Sequence, residues 1–222
     1  MGKLIVLEGT DGCGKSTQME RLAARMEQEG LSFRRLRFPQ YAEPSSALIR
    51  MYLGGEFGEK PSDVGAYAAS TFYAVDRFAS FAKDWKTFYE EGGVLISDRY
   101  TTSNAIHQGS KLRGQEREDF FRWLYDLEFT KMKLPRPDLV LCLDMPIDLS
   151  RTLMRKREAD THTSADIHEK DLAYLEACRG CAAEAADFFG WQRVPCAEGG
   201  AIRSVEAIHE EIFGYVRNCL EG

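Results

Sequence analysis

The sequence predicts an α/β fold in which helices cover both faces of a five-stranded parallel sheet, giving a three-layer sandwich. Short, continuous apolar runs alternate with longer amphipathic stretches along the chain. This alternation is typical of parallel strands buried on both faces and of the helices that connect them. The length of 222 residues suits one large domain, so we expect a single domain over residues 1–222.

The five predicted strands differ in their patterns. Three are continuous apolar runs, at residues 4–7, 94–96 and 139–143, as expected for strands buried on both faces. Residues 33–38 alternate apolar residues with arginine, which predicts a strand nearer an edge of the sheet, and residues 191–196 supply the fifth strand. Ligands of such sheets bind at the carboxyl ends of the strands, so we expect the functional residues there.

The stretches between these strands have helical patterns, and no internal repeat interrupts them. We predict helices over residues 16–29, 47–53, 61–91, 116–129, 147–157, 166–189 and 204–220.

The composition argues against several classes of protein. The formal net charge of −6 argues against a chain that binds nucleic acid non-specifically. No apolar stretch approaches the length of a membrane span and no signal peptide is recognisable, so we expect a cytoplasmic protein without membrane contact. The six cysteines lack framework spacing, which fits reduced thiols. Cys178 and Cys181 form a lone Cys-x-x-Cys in an alanine-rich helix, where we expect packing residues rather than a metal or redox site.

Residues 9–16 match the phosphate-loop motif G-x-x-x-x-G-K-[ST]. The motif follows an apolar strand and opens an amphipathic helix, which predicts a fold of the P-loop NTPase type. Its glycines let backbone N–H groups point at phosphate oxygens, Lys15 places a charge against the β- and γ-phosphates, and the Ser16 hydroxyl is a ligand for Mg²⁺. The predicted ATP-binding residues of the loop are Gly9, Thr10, Asp11, Gly12, Cys13, Gly14, Lys15, Ser16 and Thr17.

A second strand end distinguishes among nucleotide-binding proteins. A GTPase would carry an N-K-x-D motif that reads guanine, but neither asparagine of the chain, Asn104 or Asn218, is followed by lysine. The apolar strand that begins at Val94 ends in Asp98-Arg99. Asp98 can hold Mg²⁺ through water, and Arg99 can pair with an anionic acceptor. This pattern favours a kinase over a GTPase or a motor ATPase.

Several motifs together resemble the thymidylate kinase family. They are Ile5 to Gly12 with Thr17-Gln18, Phe38-Pro39, Asp76-Arg77, Asp98-Arg99-Tyr100 with Ser103, Arg136-Pro137-Asp138-Leu139 and Leu143-Asp144. They occur in the family's order and at roughly its spacing, from the first strand to the last helix. The resemblance implies that the chain phosphorylates dTMP to dTDP with ATP and Mg²⁺, and that it forms a homodimer.

The resemblance also implies an acceptor site. Asp11 corresponds to the acid that contacts the 3′-hydroxyl of the acceptor, Tyr73 to a ring that stacks on thymine, and Arg99 to the arginine that grips the acceptor phosphate. Arg77 is at the position that reads the base or its phosphate. The residues implied to bind dTMP are Asp11, Phe38, Pro39, Tyr73, Arg77, Arg99, Ser103, Asn104 and Gln108. Independently, Tyr73 and Arg77 lie four residues apart and share a helix face, although aromatic residues at helical spacing are usually core residues.

A basic cluster and a polar stretch resemble the family's lid, which we expect at about residues 155–168. The basic residues are Arg151, Arg155, Lys156 and Arg157. We expect Arg155 and Arg157 to be catalytic together with Lys15 and Arg99, and Arg151 to stack on adenine.

The lid departs from the family in two respects. Gly12 stands where some members have an arginine in the phosphate loop, so the catalytic arginine must come from the lid. Asp166 is followed by Ile167, where an arginine is common. Which lid arginine acts is therefore open.

The main alternative is a deoxynucleoside kinase or another nucleoside monophosphate kinase. A deoxynucleoside kinase needs a general base near the 5′-hydroxyl and no cationic clamp for an acceptor phosphate, whereas Arg77 and Arg99 favour a monophosphate. The intact Lys15, Ser16 and Asp98 argue against a non-catalytic nucleotide-binding regulator. The preference between dTMP and dUMP stays open.

Overall fold

The structure, a computed structural model, describes residues 1–161 and 172–222. Residues 162–168 of the predicted lid, including Asp166 and Ile167, lie outside these ranges. The side chains of Arg155, Lys156 and Arg157 are also outside the description.

A five-stranded parallel sheet forms the centre of the fold. Its strands are β1 (Lys3–Gly9), β2 (Phe33–Arg37), β3 (Val94–Asp98), β4 (Leu139–Asp144) and β5 (Gln192–Pro195). They are hydrogen-bonded in the order β2-β3-β1-β4-β5, all parallel. The predicted fold class is therefore confirmed, and β2 is an edge strand as its alternating pattern indicates. A short antiparallel hairpin, β6 (Ala197–Glu198) and β7 (Ala201–Ile202), follows the sheet.

Helices flank the sheet. Those in the described ranges are α1 (Lys15–Gln28), α2 (Ala47–Leu53), α3 (Ala66–Ser80), α4 (Lys86–Glu90), α5 (Thr101–His107), α6 (Gly114–Tyr125), α7 (Ile147–Thr161), α8 (Leu172–Phe189) and α9 (Val205–Glu221). None of them is long and apolar enough to cross a membrane.

The prediction of one helix over residues 61–91 is wrong at its start. Pro61–Asp63 form a separate 3₁₀ turn, and the backbone is extended at Val64 and Gly65 before α3 begins. Beyond that break the chain stays helical to the end of α4, through a π-helical turn at Phe81–Trp85. The break occurs because glycine and a β-branched residue both lower the propensity for helix.

The two faces of the sheet carry separate hydrophobic cores. Leu4 and Val6 of β1 face a core that contains Trp85. Ile5 and Leu7 face the opposite core. All four β1 residues are fully buried, which explains the continuous apolar run at residues 4–7.

The strand register brings the functional strand ends together. Leu7 of β1 is level with Asp98 of β3, and Asp98 is level with Arg37 of β2. The carboxyl ends of these three strands therefore open onto one edge of the sheet, where ligands of parallel sheets bind.

Candidate active site

A cavity of about 560 Å³ lies at this edge of the sheet. It contains predicted residues from the phosphate loop, from α3, from the end of β3, from the residues that follow β2 and β3, and from α5 and the residue after it. These are Asp11, Gly12, Cys13, Gly14, Lys15, Ser16, Thr17, Phe38, Pro39, Tyr73, Arg77, Asp98, Arg99, Ser103, Asn104 and Gln108. The predicted residues Gly9, Thr10 and Arg151 are not among its lining residues, although Gly9 and Thr10 lie buried at the base of the loop.

Gly12 and Gly14 of the phosphate loop have backbone conformations that favour glycine. Gly14 has a φ of 86° and caps the N-terminus of α1. Gly12 has a φ of 77°, and a Cβ there would lie 2.6 Å from the Ser150 carbonyl oxygen of α7. A side chain at position 12 would therefore force α7 away from the loop. This close packing is a physical reason for glycine where an arginine is possible in the family.

The Cys13 thiol is buried beneath the loop, and burial raises its pKa against the opposing effect of Lys15. Its backbone, rather than its sulfur, is thus the part that can face a phosphate.

Asp98 connects the phosphate loop to β2. Its Oδ1 lies 3.9 Å from the Lys15 Nζ, and its Oδ2 lies 3.7 Å from the Arg37 Nε. The buried Oδ1 accepts no hydrogen bond from the residues that the structure describes. An unsatisfied carboxylate oxygen in a cavity that Ser16 of the phosphate loop also lines suits a hard cation such as Mg²⁺.

Asp98 and Ser16 are too few to form a complete cation site. Within the described residues no group of three His, Cys, Asp or Glu side chains could hold a metal ion. A Mg²⁺ ion here would therefore take most of its ligands from phosphate oxygens and water, which is its usual behaviour at nucleotide sites.

Arg99 follows β3 in a left-handed backbone conformation, with a φ of 68°. Two hydrogen bonds hold this turn. The Arg99 N–H donates to the Leu7 carbonyl at 3.2 Å, and the Ser97 hydroxyl donates to the Arg99 carbonyl at 2.6 Å. A non-glycine residue at positive φ is unfavourable, so the surrounding contacts fix the direction of this side chain.

The Arg99 guanidinium contacts several groups through its two terminal nitrogen atoms. Its Nη2 donates to Asp11 at 2.5 Å, and its Nη1 donates to the Ser103 hydroxyl and to the His107 Nε2, both at 3.2 Å. Nη1 also lies 3.5 Å from a carboxylate oxygen of Glu8. Burial would lower the pKa of Arg99, but the carboxylates, led by Asp11 and Glu8, raise it above its ordinary value. Arg99 is therefore a permanent cation.

Glu8 was not predicted as a site residue. It is fully buried and accepts hydrogen bonds from the Gly9 N–H at 2.9 Å, the Thr102 hydroxyl at 2.6 Å and the Ser103 hydroxyl at 2.7 Å. It thus ties the phosphate loop to α5 and to Arg99. The signal was present in the sequence, because an acid inside an apolar strand must have partners.

Arg77 is held quite differently from Arg99. Its Nε and Nη2 donate to the two carboxylate oxygens of Glu128 at 2.7 and 2.6 Å, and its Nη1 lies 3.4 Å from the Tyr100 carbonyl. Both side chains of this ion pair are buried. Sequence reasoning missed Glu128, since it lies 51 residues from its partner.

The other residues predicted to bind the acceptor line the same cavity as Arg77. The Asn104 amide donates to the Ser70 carbonyl at 3.1 Å, which fixes its orientation. Gln108 is buried, and its Oε1 accepts no hydrogen bond from the described residues. The Phe38 ring lies 5.8 Å from the Tyr100 ring. Tyr73 is only half-buried and lines the cavity, so it is not simply a core residue.

Among the residues that the structure describes, seven that line the cavity were not predicted. They are Arg37, Tyr41, Leu53, Tyr100, His107, Leu153 and Met154. Arg37 is the most informative of them, because its side chain is largely exposed and adds a cation beside Asp98. Its place at the end of a strand, before Phe38-Pro39, was a usable signal.

Cys178 and Cys181 lie behind this cavity. Burial raises the pKa of Cys178 to about 11 and that of Cys181 to about 12. The Cys178 sulfur lies 3.6 Å from the His107 Nδ1, and the Cys181 thiol donates to the Ala105 carbonyl. Buried, protonated thiols that contact α5 agree with the expected packing role.

Comparison with known proteins decides the family. A model of the family described as thymidylate kinase matches residues 7–212. The chain belongs to the thymidylate kinase family. It is 32% identical over 185 residues to a thymidylate kinase of Mycobacterium tuberculosis (strain H37Rv), covering 82% of this chain and 85% of the relative. It is 34% identical over 178 residues to that of Synechococcus sp. (strain CC9311), covering 79% of each chain.

An archaeal relative matches over nearly the full length. The chain is 31% identical over 218 residues to a probable thymidylate kinase of Thermococcus gammatolerans, covering 97% of this chain and 96% of the relative. The chain is therefore an ATP-dependent nucleoside monophosphate kinase, a phosphotransferase. Thymidylate kinase membership supports phosphorylation of dTMP to dTDP over the deoxynucleoside kinase alternative.

Proposed function

We propose that the chain transfers the γ-phosphoryl group of ATP to dTMP in the cavity at the carboxyl edge of the sheet. The observation that carries this proposal is the position of Arg99. Its guanidinium contacts Asp11 of the phosphate loop, which suits ATP, and Ser103 of α5. Helix α5 is hydrogen-bonded to α3, which carries Tyr73 and Arg77 and suits a nucleotide base. One cavity can therefore hold a donor and an acceptor with their phosphates facing each other.

On the donor side, the phosphate loop holds the ATP phosphates and Lys15 neutralises their charge. Ser16 and Asp98 would hold Mg²⁺, which would neutralise further charge on the phosphate oxygens when bound. Phosphoryl transfer needs no protein nucleophile, so the residues act by positioning and by charge stabilisation.

On the acceptor side, Arg99 binds the phosphate of dTMP. Asp11 orients this guanidinium, and Ser103 and His107 support it from the other side. Tyr73 offers its ring to the base, while Arg77 donates to a carbonyl on the base edge. Phe38, Pro39, Asn104 and Gln108 complete this wall.

The lid residues keep the roles that the sequence predicts. Arg155 and Arg157 would stabilise charge on the transferred group, and Arg151 would contact adenine. Support comes from α7, which carries all three and contacts the phosphate loop where Ser150 and Met154 pack on Gly12. Arg155 directly follows a residue that touches the loop.

We also propose a cytoplasmic homodimer. Along α3, an exposed stripe contains Tyr67, Thr71, Val75 and Phe78. Tyr67, Val75 and Phe78 are 43%, 51% and 43% exposed, which is unusual for three large apolar residues on one helix face. Burial of this stripe against a second copy would remove it from water.

The test is the rate of ADP release from ATP and Mg²⁺ in the presence of each of a panel of acceptors. dTMP should give the highest kcat/KM, while thymidine, which has no phosphate for Arg99, should be a poor acceptor. Lys15→Ala is the control for contaminating kinases, and it should lower kcat by at least about a hundredfold. Preferred turnover of thymidine, or near-normal activity of Lys15→Ala, would overturn the proposal.

A further inference from the structure

Glu128 is a fully buried acid that the proposed reaction does not use directly. It lies in a π-helical turn, Asp126–Lys131, that continues from α6. Such turns are rare and are frequent at functional sites. This one places Glu128 beneath the acceptor wall of the cavity, where a carboxylate requires a partner.

Both oxygens of the Glu128 carboxylate are bound. Oε1 and Oε2 accept hydrogen bonds from the Arg77 Nη2 and Nε, at 2.6 and 2.7 Å, in a bidentate ion pair. Oε2 also accepts from the Thr101 hydroxyl at 2.6 Å. Thr101 is the first residue of α5, so Glu128 connects Arg77 on α3 to the helix that carries Ser103 and Asn104 and ends just before Gln108.

This arrangement restricts what Arg77 can bind. Glu128 uses one N–H on Nε and one on Nη2, and the Tyr100 carbonyl faces Nη1, so one N–H remains on each terminal nitrogen. The paired charges cancel, which removes any strong preference for a phosphate. What remains is a neutral, rigidly oriented donor pair at the cavity wall, suited to an uncharged carbonyl oxygen.

We propose that Glu128 is a positioning residue that sets base specificity by fixing Arg77 as a donor to the base edge. Thymine and uracil present a carbonyl oxygen where cytosine presents an amino group. A fixed N–H donor can hydrogen-bond to the carbonyl oxygen of thymine or uracil. It opposes cytosine, because its N–H would face the N–H of the amino group. This inference rests on the proposed function, in which Arg77 faces the base of the acceptor.

The test is Glu128→Gln, which keeps the shape of the side chain and removes its charge. We expect kcat/KM for dTMP to fall at least about tenfold, mainly through KM, while kcat/KM for dCMP changes less than about twofold. The preference for dTMP over dCMP should therefore fall about tenfold. The KM for ATP should not change. Glu128→Asp, which keeps the charge, should recover part of the preference.

Thr101→Val is the matched control. It removes the third hydrogen bond of Glu128 and leaves the ion pair with Arg77 intact, so it should keep the preference for dTMP. If Glu128→Gln does not fold, Arg77→Lys takes its place, because lysine keeps the buried positive charge and cannot make the bidentate contact. We expect the same loss of preference from it.

Three results would overturn the inference. The first is a folded Glu128→Gln, or Arg77→Lys in its place, with unchanged preference. The second is an equal loss of preference in Thr101→Val, which would make Glu128 a general support of α5. The third is a wild-type enzyme without preference for dTMP over dCMP, in which case the proposed function fails too; only the first two results refute Glu128 alone.

Discussion

Arg77 and Arg99 line the same cavity but have opposite surroundings. Arg77 is 2% exposed and forms a bidentate ion pair with one acid, Glu128. Arg99 is 18% exposed and makes single-atom contacts with Asp11 and Glu8. The first arrangement buries the guanidinium and fixes it through both oxygens of one carboxylate. The second orients a cation while leaving it accessible.

The comparison shows that the surroundings of an arginine side chain decide which group of a ligand it can bind. The bidentate pair with Glu128 occupies one edge of the buried Arg77 guanidinium and leaves one N–H on each terminal nitrogen, which suits an uncharged carbonyl oxygen. The contacts that Arg99 makes through single terminal nitrogen atoms leave part of its guanidinium available to a ligand. We therefore propose that Arg77 binds the base of the acceptor and Arg99 its phosphate, and each prediction below tests one consequence of this division.

The largest expected effect is on stability. Arg77→Met should lower the free energy of unfolding by about 3–5 kcal/mol, because it leaves the buried Glu128 without its cation. Arg99→Met should cost far less, since Glu8 keeps three other hydrogen bonds. Urea denaturation measures both, and Glu128→Leu added to Arg77→Met should restore most of the loss. Equal losses in the two single variants would remove the contrast between the arginines.

The next effect is on the acceptor reaction. Arg99→Ala should reduce the apparent affinity for dTMP by about 2–5 kcal/mol, as expected when one partner of a close charge pair is removed. The affinity for ATP should change little. Steady-state kinetics with each substrate varied in turn gives both values. A variant that binds dTMP as well as the wild type does would show that Arg99 is not the phosphate clamp.

The smallest effect concerns the backbone, and its sign differs between the two sites. At position 99, where φ is 68°, glycine should be more stable than alanine by about 1 kcal/mol. At position 77, inside α3, alanine should be more stable than glycine by about 1 kcal/mol. Thermal or urea unfolding of the four variants measures this. The same sign at both positions would contradict the assigned role of the turn at Arg99.

Part of this structure follows from local sequence patterns. The strand at residues 4–7 and the phosphate loop were predictable because each depends on neighbouring residues only. Arg99 was placed at a strand end by the same reasoning. The fold class, confirmed by the sheet order, needed no more than the alternation of strands and helices.

Other features depend on contacts that a local pattern does not contain. The pair of Arg77 with Glu128 joins residues 51 positions apart through a π-helical turn, which no periodicity predicts. Helix α5 was missed because it is short and its polar residues are buried by tertiary contacts rather than by an apolar face. The break at Gly65 was hidden by the helical pattern on either side of it.

The most direct test of the division between the two arginines compares dTMP with thymidine, which share a base and differ in the phosphate. Isothermal calorimetry would give both dissociation constants for the wild type, Arg99→Met and Arg77→Met. We expect Arg99→Met to lower the preference for dTMP over thymidine at least about tenfold. Arg77→Met should weaken the two ligands by the same factor and leave that preference unchanged. An unchanged preference in Arg99→Met, or a selective loss of dTMP binding in Arg77→Met, would contradict the account.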